Sequence, residues 1–229
     1  MKAQHTFRFW AREALKSALP AGGWERLDRA RRWRHYRRAG AVFIHVPKAA
    51  GSSIATALYG RRLGHHPARR LMQEDPAGWK ALEKFSVLRE PVSRFLSACA
   101  YALAGGTAEG AIRWRAEYDD PALRDANAFV LDYLARGELL DKDVVFWPQS
   151  YFVRGASGEA VAGLSLFSTD DTEPLAAYLS SLGCAAPARI NRGQAAGGLN
   201  LELGAEARRM LESVYAADFA LLDGLGKDR

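Results

Sequence analysis

Residues 43–58, FIHVPKAAGSSIATAL, leave few folds open. A β-rich apolar run over 41–46 ends at Pro47-Lys48, small residues follow, and the apolar spacing then becomes helical. A buried strand running through a tight turn into a helix is a building block of α/β folds, and the turn itself suits an anion. Free N–H groups at a helix start point outward, and the helix dipole favours negative charge there. Ala49, Ala50, Gly51, Ser52 and Ser53 let an anion approach the backbone, and the two serines add hydroxyl donors. In the nucleotide-triphosphate loop, GxxxxGK[ST], the lysine follows the last glycine. Here Lys48 precedes Gly51, where its ammonium can reach the far side of the same anion.

The rest of the chain reads as strands alternating with helices. Apolar runs at 85–88, 143–147, 150–153 and 164–167 are predicted as short strands. Helices are predicted over 6–19, 24–38, 91–103, 126–137 and 170–183, and one amphipathic helix over 204–222. Residues 103–114 read as a mobile loop. This alternation argues for a parallel sheet covered on both faces, an α/β fold with a central, mostly parallel sheet flanked by helices. The domain reading is a basic helical arm over 1–39 and one domain over 40–229.

A second strand end repeats the first. FSVLREPVSRFLSA, residues 85–98, puts Arg89 after a buried strand and Pro91 at a helix start. Ser93 and Ser97, four apart, share a helix face, and a helix-borne serine with Arg89 can hold a second phosphate. Two such strand ends in one sheet point to a ligand with separated phosphates. A triphosphate-using kinase or NTPase would need a lysine after Gly51 and a compact carboxylate set for magnesium. Only Asp170-Asp171, after the 164–167 run, hints at the latter.

These two motifs resemble the 5′-phosphosulfate loop and the 3′-phosphate motif of sulfotransferases that use 3′-phosphoadenosine 5′-phosphosulfate (PAPS), and are most similar to the carbohydrate group related to heparan and chondroitin sulfotransferases, bacterial members especially. GHHPARRL at 64–71 looks like that family's substrate-side histidine segment, and VVFWPQSYFV at 144–153 like its Pro-Gln element. INRGQ at 190–194 and ESVYAADFALL at 212–222 look like its Asn loop and Tyr-x-x-Asp-Phe helix. Three departures stand out: Ala49-Ala50 where glycine or threonine is usual, Glu90 for the commoner aspartate, and Phe146-Trp147 where a polar residue or histidine is frequent.

The resemblance implies a three-layer, P-loop-like fold and transfer of a sulfuryl group from PAPS to a hydroxyl of a carbohydrate or glycolipid, leaving 3′-phosphoadenosine 5′-phosphate (PAP), without a metal. It implies that Pro47, Lys48, Ala49, Ala50, Gly51, Ser52 and Ser53 hold the 5′ end of the donor, and that Lys48 stabilises the leaving phosphate. Arg89 and Ser97 are assigned to the 3′-phosphate, while Arg192 and Gly193, beside Asn191, close over the nucleotide. His65, in Gly64-His65, is the base for the acceptor hydroxyl, since imidazole titrates near neutrality, and His66 lies on the substrate side. His45 reads as structural, Glu90 as a backup base or a partner of Arg89, and Arg94 as a structural bridge.

The formal charge of +6 is concentrated in RLDRARRWRHYRRAG, residues 26–40. Such a helix is either a solvated basic face packed through Trp24, Leu27 and Trp33, or an arm touching an acidic membrane surface or a polyanion. A non-catalytic polyanion-binding module is therefore an alternative to the enzyme; no aromatic-basic pattern points to specific nucleic-acid binding. Cys99 and Cys184 form no CxxC pair and read as free thiols in a reducing compartment. With no membrane-length apolar run and no continuous apolar segment at the start, the expected location is cytoplasmic, peripheral to the membrane at most.

Overall fold

The computed structural model describes residues 20, 22–107, 110–112, 115–155, 158–185 and 200–225. The helix predicted over 6–19 and the loop with Asn191, Arg192 and Gly193 lie outside these.

Three parallel strands form the sheet: β1 (Ala41–Ile44), β2 (Glu83–Leu88) and β5 (Leu164–Ser168), in the order β1-β2-β5. Phe43 is in register with Phe85, and Phe85 with Ser165. β1 and the apolar second half of β2 are buried, as suits parallel strands covered on both faces, whereas β5 is half-buried along its length. Between β1 and β2 come α2 (Gly51–Tyr59), α3 (Ala68–Glu74) and α4 (Pro76–Ala81); α5 (Pro91–Leu103) follows β2. The fold is α/β. Residues 103–114 include a short antiparallel pair, β3 (Gly106–Thr107) with β4 (Gly110–Ala111).

Helix α1 (Gly23–Ala39) precedes β1 and is anchored in the core. Trp33 and Tyr36 are buried, their rings edge to face at 5.4 Å, and Tyr36 meets Tyr59 of α2 at 5.5 Å. The buried arginine on this helix is Arg32; Arg29, Arg31, Arg34, Arg37 and Arg38 are exposed. Leu27, expected to pack, is 51% exposed and lies on the outer face.

Two predicted strands are not strands. Residues 143–147 turn back on themselves, with Phe146 N–H donating to the Asp143 carbonyl at 2.9 Å. Residues 150–153 belong to helix α6 (Gln149–Val153), which starts after Pro148. The apolar run that looked β-like instead puts Phe146 into an aromatic cluster with Phe95, Phe129 and Tyr133, and packing overrides strand propensity. The segment predicted as helix over 126–137 is one α-turn, Ala126–Ala128, continued as a π-helix, Phe129–Leu134. Helix α7 (Thr172–Ser181) follows β5. The single C-terminal helix expected over 204–222 is two helices, α8 (Ala205–Val214) and α9 (Ala216–Leu225), broken at Tyr215, whose buried hydroxyl donates to the Phe146 carbonyl at 2.6 Å.

One core joins the sheet to α1, α2, α3, α6 and α7; a second joins α5, the π-helical segment and α8. The C-terminal ends of the strands release Lys48, Arg89 and Asp170. Open parallel sheets bind ligands at this edge.

Candidate anion-binding site

The first strand end is built for close approach. His45 is buried, and its ring lies against the backbone of Gly51: a Cβ on Gly51 would fall 2.0 Å from His45 Cδ2. Only glycine fits there, so the histidine at the end of β1 and the glycine opening α2 specify each other. Between them the chain takes the left-handed region twice without glycine, at Lys48 (φ 64°) and Ala50 (φ 59°). Such conformations cost roughly 1–2 kcal/mol each and collect at functional sites. Here they mark the sharp turn between β1 and α2. Ala50 stands at the N-cap and offers no side-chain acceptor. By contrast, α4 is capped by Asp75 and α5 by Glu90, so the open start of α2 keeps its N–H groups available to a ligand. Ser52 is exposed and Ser53 half-buried on the first turn.

Lys48 is largely withdrawn from water, and burial, with the nearby Arg89 charge, lowers its pKa to about 8. Its ammonium lies 4.4 Å from the ring centre of Tyr101 on α5. Arg89 donates from Nε and from a terminal nitrogen to Ser93 Oγ, at 3.0 and 2.7 Å, and at 3.5 Å to the Lys48 carbonyl. The serine on the guanidinium is therefore Ser93; Ser97 lies one turn further along, half-buried. Burial lowers the Arg89 pKa, opposed by the charges of Asp170 and Glu90. Glu90 caps α5, accepting from the Val92 and Ser93 N–H groups. Among the described residues neither Lys48 nor Arg89 has a carboxylate within ion-pair distance. Lys48 and Arg89 thus place two half-buried, mutually repelling cations at adjacent strand ends, an arrangement that suits an anion.

The two histidines diverge. His65 donates Nδ1–H to the His45 carbonyl at 2.9 Å, and the two rings lie 4.2 Å apart. That bond fixes the neutral tautomer and leaves Nε2 as an acceptor. Burial lowers the His65 pKa; the bond to His45 opposes this, and Arg62 adds to the lowering. His66 turns to α1: its Nε2 lies 2.9 Å from Arg32, which also donates to Glu74 at 2.6 Å, and 3.1 Å from the Leu63 carbonyl; accepting from Arg32 excludes donating to Leu63. Burial, with Arg32 next, pushes its pKa down to about 4. The geometry thus sets His65 one ring away from Gly51 and commits His66 to the contact with α1.

Four further residues belong to the neighbourhood: Arg62, Tyr101, Gln149 and Asp218. Tyr101 carries Lys48, and it could have been found four residues after Ser97 on the same helix face. Arg62 acts electrostatically on His45, His65 and Tyr101. Gln149 holds the backbone of Arg89 directly, and Asp218 acts on it through Gln149. Gln149 Oε1 accepts from the Arg89 N–H at 2.9 Å and Nε2 donates to the Arg89 carbonyl at 2.7 Å. Asp218 accepts from the N–H groups of Gln149 and Ser150, both at 2.8 Å. Arg94 is fully buried, 3.8 Å from Asp218, and donates to the Val145 carbonyl at 3.0 Å.

Comparison with protein-family models, with curated proteins and with solved structures finds no match to this chain. No described helix is long and apolar enough to cross a membrane.

Proposed function

We propose that the protein is a PAPS-dependent sulfotransferase acting on a hydroxyl of a carbohydrate or glycolipid, on a P-loop-like three-layer scaffold. The observation that carries this reading is the pairing of Lys48 and Arg89 at adjacent strand ends, half-buried and without a carboxylate partner among the described residues. A donor with a phosphate at each end of a ribose would meet one cation per phosphate. When bound, PAPS supplies an activated sulfuryl group whose bridging oxygen leaves as phosphate.

Each residue then has a task. The open N-terminus of α2, with Ser52 and Ser53, holds the 5′-phosphate. Lys48 neutralises charge as it develops on the leaving oxygen, an effect that a water-poor site strengthens. Arg89 and Ser93 hold the 3′-phosphate by charge-assisted bonds, with Ser97 next to them on the helix. His65 Nε2 takes the proton of the acceptor hydroxyl, and the His45 carbonyl supports the imidazolium that results. Positioning and charge stabilisation carry most of such a transfer. The carbohydrate nature of the acceptor rests on the motif resemblance. Preferential stabilisation by PAP, without a divalent cation, tests the donor assignment.

The exposed arginines of α1 favour a second, compatible contact. Arg31, Arg34 and Arg38 share the outer helix face with exposed Leu27 and form a basic surface there, as suits a cytoplasmic protein that touches an acidic membrane surface or a polyanionic chain.

A further inference from the structure

Arg89 is held at its backbone as well as at its guanidinium, and that backbone hold reaches the C-terminal helix. Beyond Leu88 the chain leaves β2, so the N–H and C=O of Arg89 have no further strand to pair with in this sheet. The amide of Gln149 takes both, accepting from one and donating to the other. It does what a neighbouring strand would do, for one residue. Gln149 is fully buried, and a buried amide is costly unless both of its ends are bonded. Its own position is set in turn: the first N–H groups of α6 end on the two carboxylate oxygens of Asp218, which is itself fully buried in α9. The negative charge of Asp218 is balanced by buried Arg94, on the same helix as Ser93. The chain of contacts Asp218–Gln149–Arg89 therefore closes on the helix that presents the serine to the guanidinium.

We infer that Gln149, itself seated by Asp218, is the positioning residue that aims Arg89 at the 3′-phosphate of the donor. This rests on the sulfotransferase reading and assigns to the Pro-Gln segment and to the C-terminal helix a task in donor selection. Gln149 touches no ligand in this scheme; it sets the peptide from which the guanidinium departs. A small rotation of that peptide would swing the guanidinium off a site where bidentate contact depends on direction.

The test is calorimetric titration of the full chain with PAP and with adenosine 5′-phosphate, which lacks the 3′-phosphate. Wild type, Gln149→Ala and Gln149→Glu are compared. The wild type binds PAP more tightly than adenosine 5′-phosphate. In Gln149→Ala the ratio of the two affinities falls at least tenfold, while affinity for adenosine 5′-phosphate stays within about threefold. Gln149→Glu keeps an acceptor for the Arg89 N–H but sets a carboxylate against the Arg89 carbonyl, and it also lowers the ratio. If Gln149→Ala does not fold, Gln149→Glu decides alone by the same criterion. An unchanged ratio, whether both affinities hold or both fall together, overturns the inference and leaves the function intact. A wild type with no preference for PAP removes the function and this inference with it.

Discussion

His65 donates its Nδ1–H to the main-chain carbonyl of His45, 2.9 Å away, at the end of the strand that delivers Lys48. One hydrogen bond thus ties the orientation and tautomer of the proposed base to the anion loop. His66, its neighbour, is bonded to Arg32 on the other side. In an extended segment adjacent side chains point opposite ways, and His66 precedes Pro67, which holds it extended. His65→Ala is expected to reduce turnover about 10²–10⁴-fold, the usual worth of a positioned base, with PAP affinity within a few-fold of wild type. His66→Ala is expected to lower stability and spare most of the turnover. Turnover and PAP titration on both variants check this; an active His65→Ala beside a dead, folded His66→Ala would reverse the assignment.

Lys48→Ala is expected to cut turnover about 10²–10³-fold, as for loss of a donor that acts in the transition state, with a smaller loss of donor affinity. The pH profile of kcat/KM should carry the same signature. His65 must be neutral to accept a proton and its pKa is lowered, so the acid limb lies below the ordinary histidine value of about 6.5. Lys48 must be charged, so the alkaline limb falls near its pKa of about 8. Lys48→Arg, which stays protonated, should remove the alkaline limb even if its maximum rate is lower. An alkaline limb unchanged in Lys48→Arg would detach it from Lys48.

Arg89→Ala should weaken PAP by roughly 10–100-fold, the worth of hydrogen bonds to a charged group, and weaken adenosine 5′-phosphosulfate, which lacks the 3′-phosphate, far less. Parallel titrations measure both. Equal losses would mean that Arg89 does not read that phosphate.

The junction of α1 with the histidine loop gives an acid-sensitive contribution to stability. His66 has a folded-state pKa of about 4, against about 6.5 when unfolded. The folded state thus binds fewer protons between these values, and stability present above pH 6.5 is lost as the pH falls toward 4. Arg32, Arg70 and Glu74 all face this imidazole. Burial raises the Glu74 pKa, but its bonds to Arg32 and Arg70 outweigh that and lower it, so Glu74 acts in the same direction at lower pH. Denaturant midpoints between pH 7 and 4 should fall steeply in the wild type and less in His66→Asn, which can still accept from Arg32. Equal slopes would place the acid lability elsewhere.

What could be read in the sequence was local. β1, β2 and β5 are apolar runs with clear breaks on either side, and the loop from Pro47 to Ser53 carries its chemistry in consecutive residues. The run at 143–147 misled because Val145 and Phe146 are as well suited to an aromatic core as to a strand. The choice was made by Phe95, Phe129 and Tyr133, far off in sequence. Ser93 and Ser97 share a helix face, and only the reach of Arg89 separates them. Gln149 and Asp218 lie 60 residues beyond Arg89 and 69 beyond Gln149 respectively, with no periodicity to link them. The Pro-Gln and Tyr-x-x-Asp-Phe strings were visible, but their joint task appears only when the backbone of Arg89 is seen between them.

The pairing of Lys48 with Arg89 as a two-phosphate site is tested most directly by thermal unfolding with PAP, with and without EDTA, against ATP·Mg. At about 100 times its dissociation constant, a ligand selective for the folded state adds about 2.7 kcal/mol, roughly 5–11 °C in Tm for a chain of this size. PAP should give a shift of that order, EDTA should leave it in place, and ATP·Mg should give little or none. A shift with ATP·Mg and none with PAP would contradict the account.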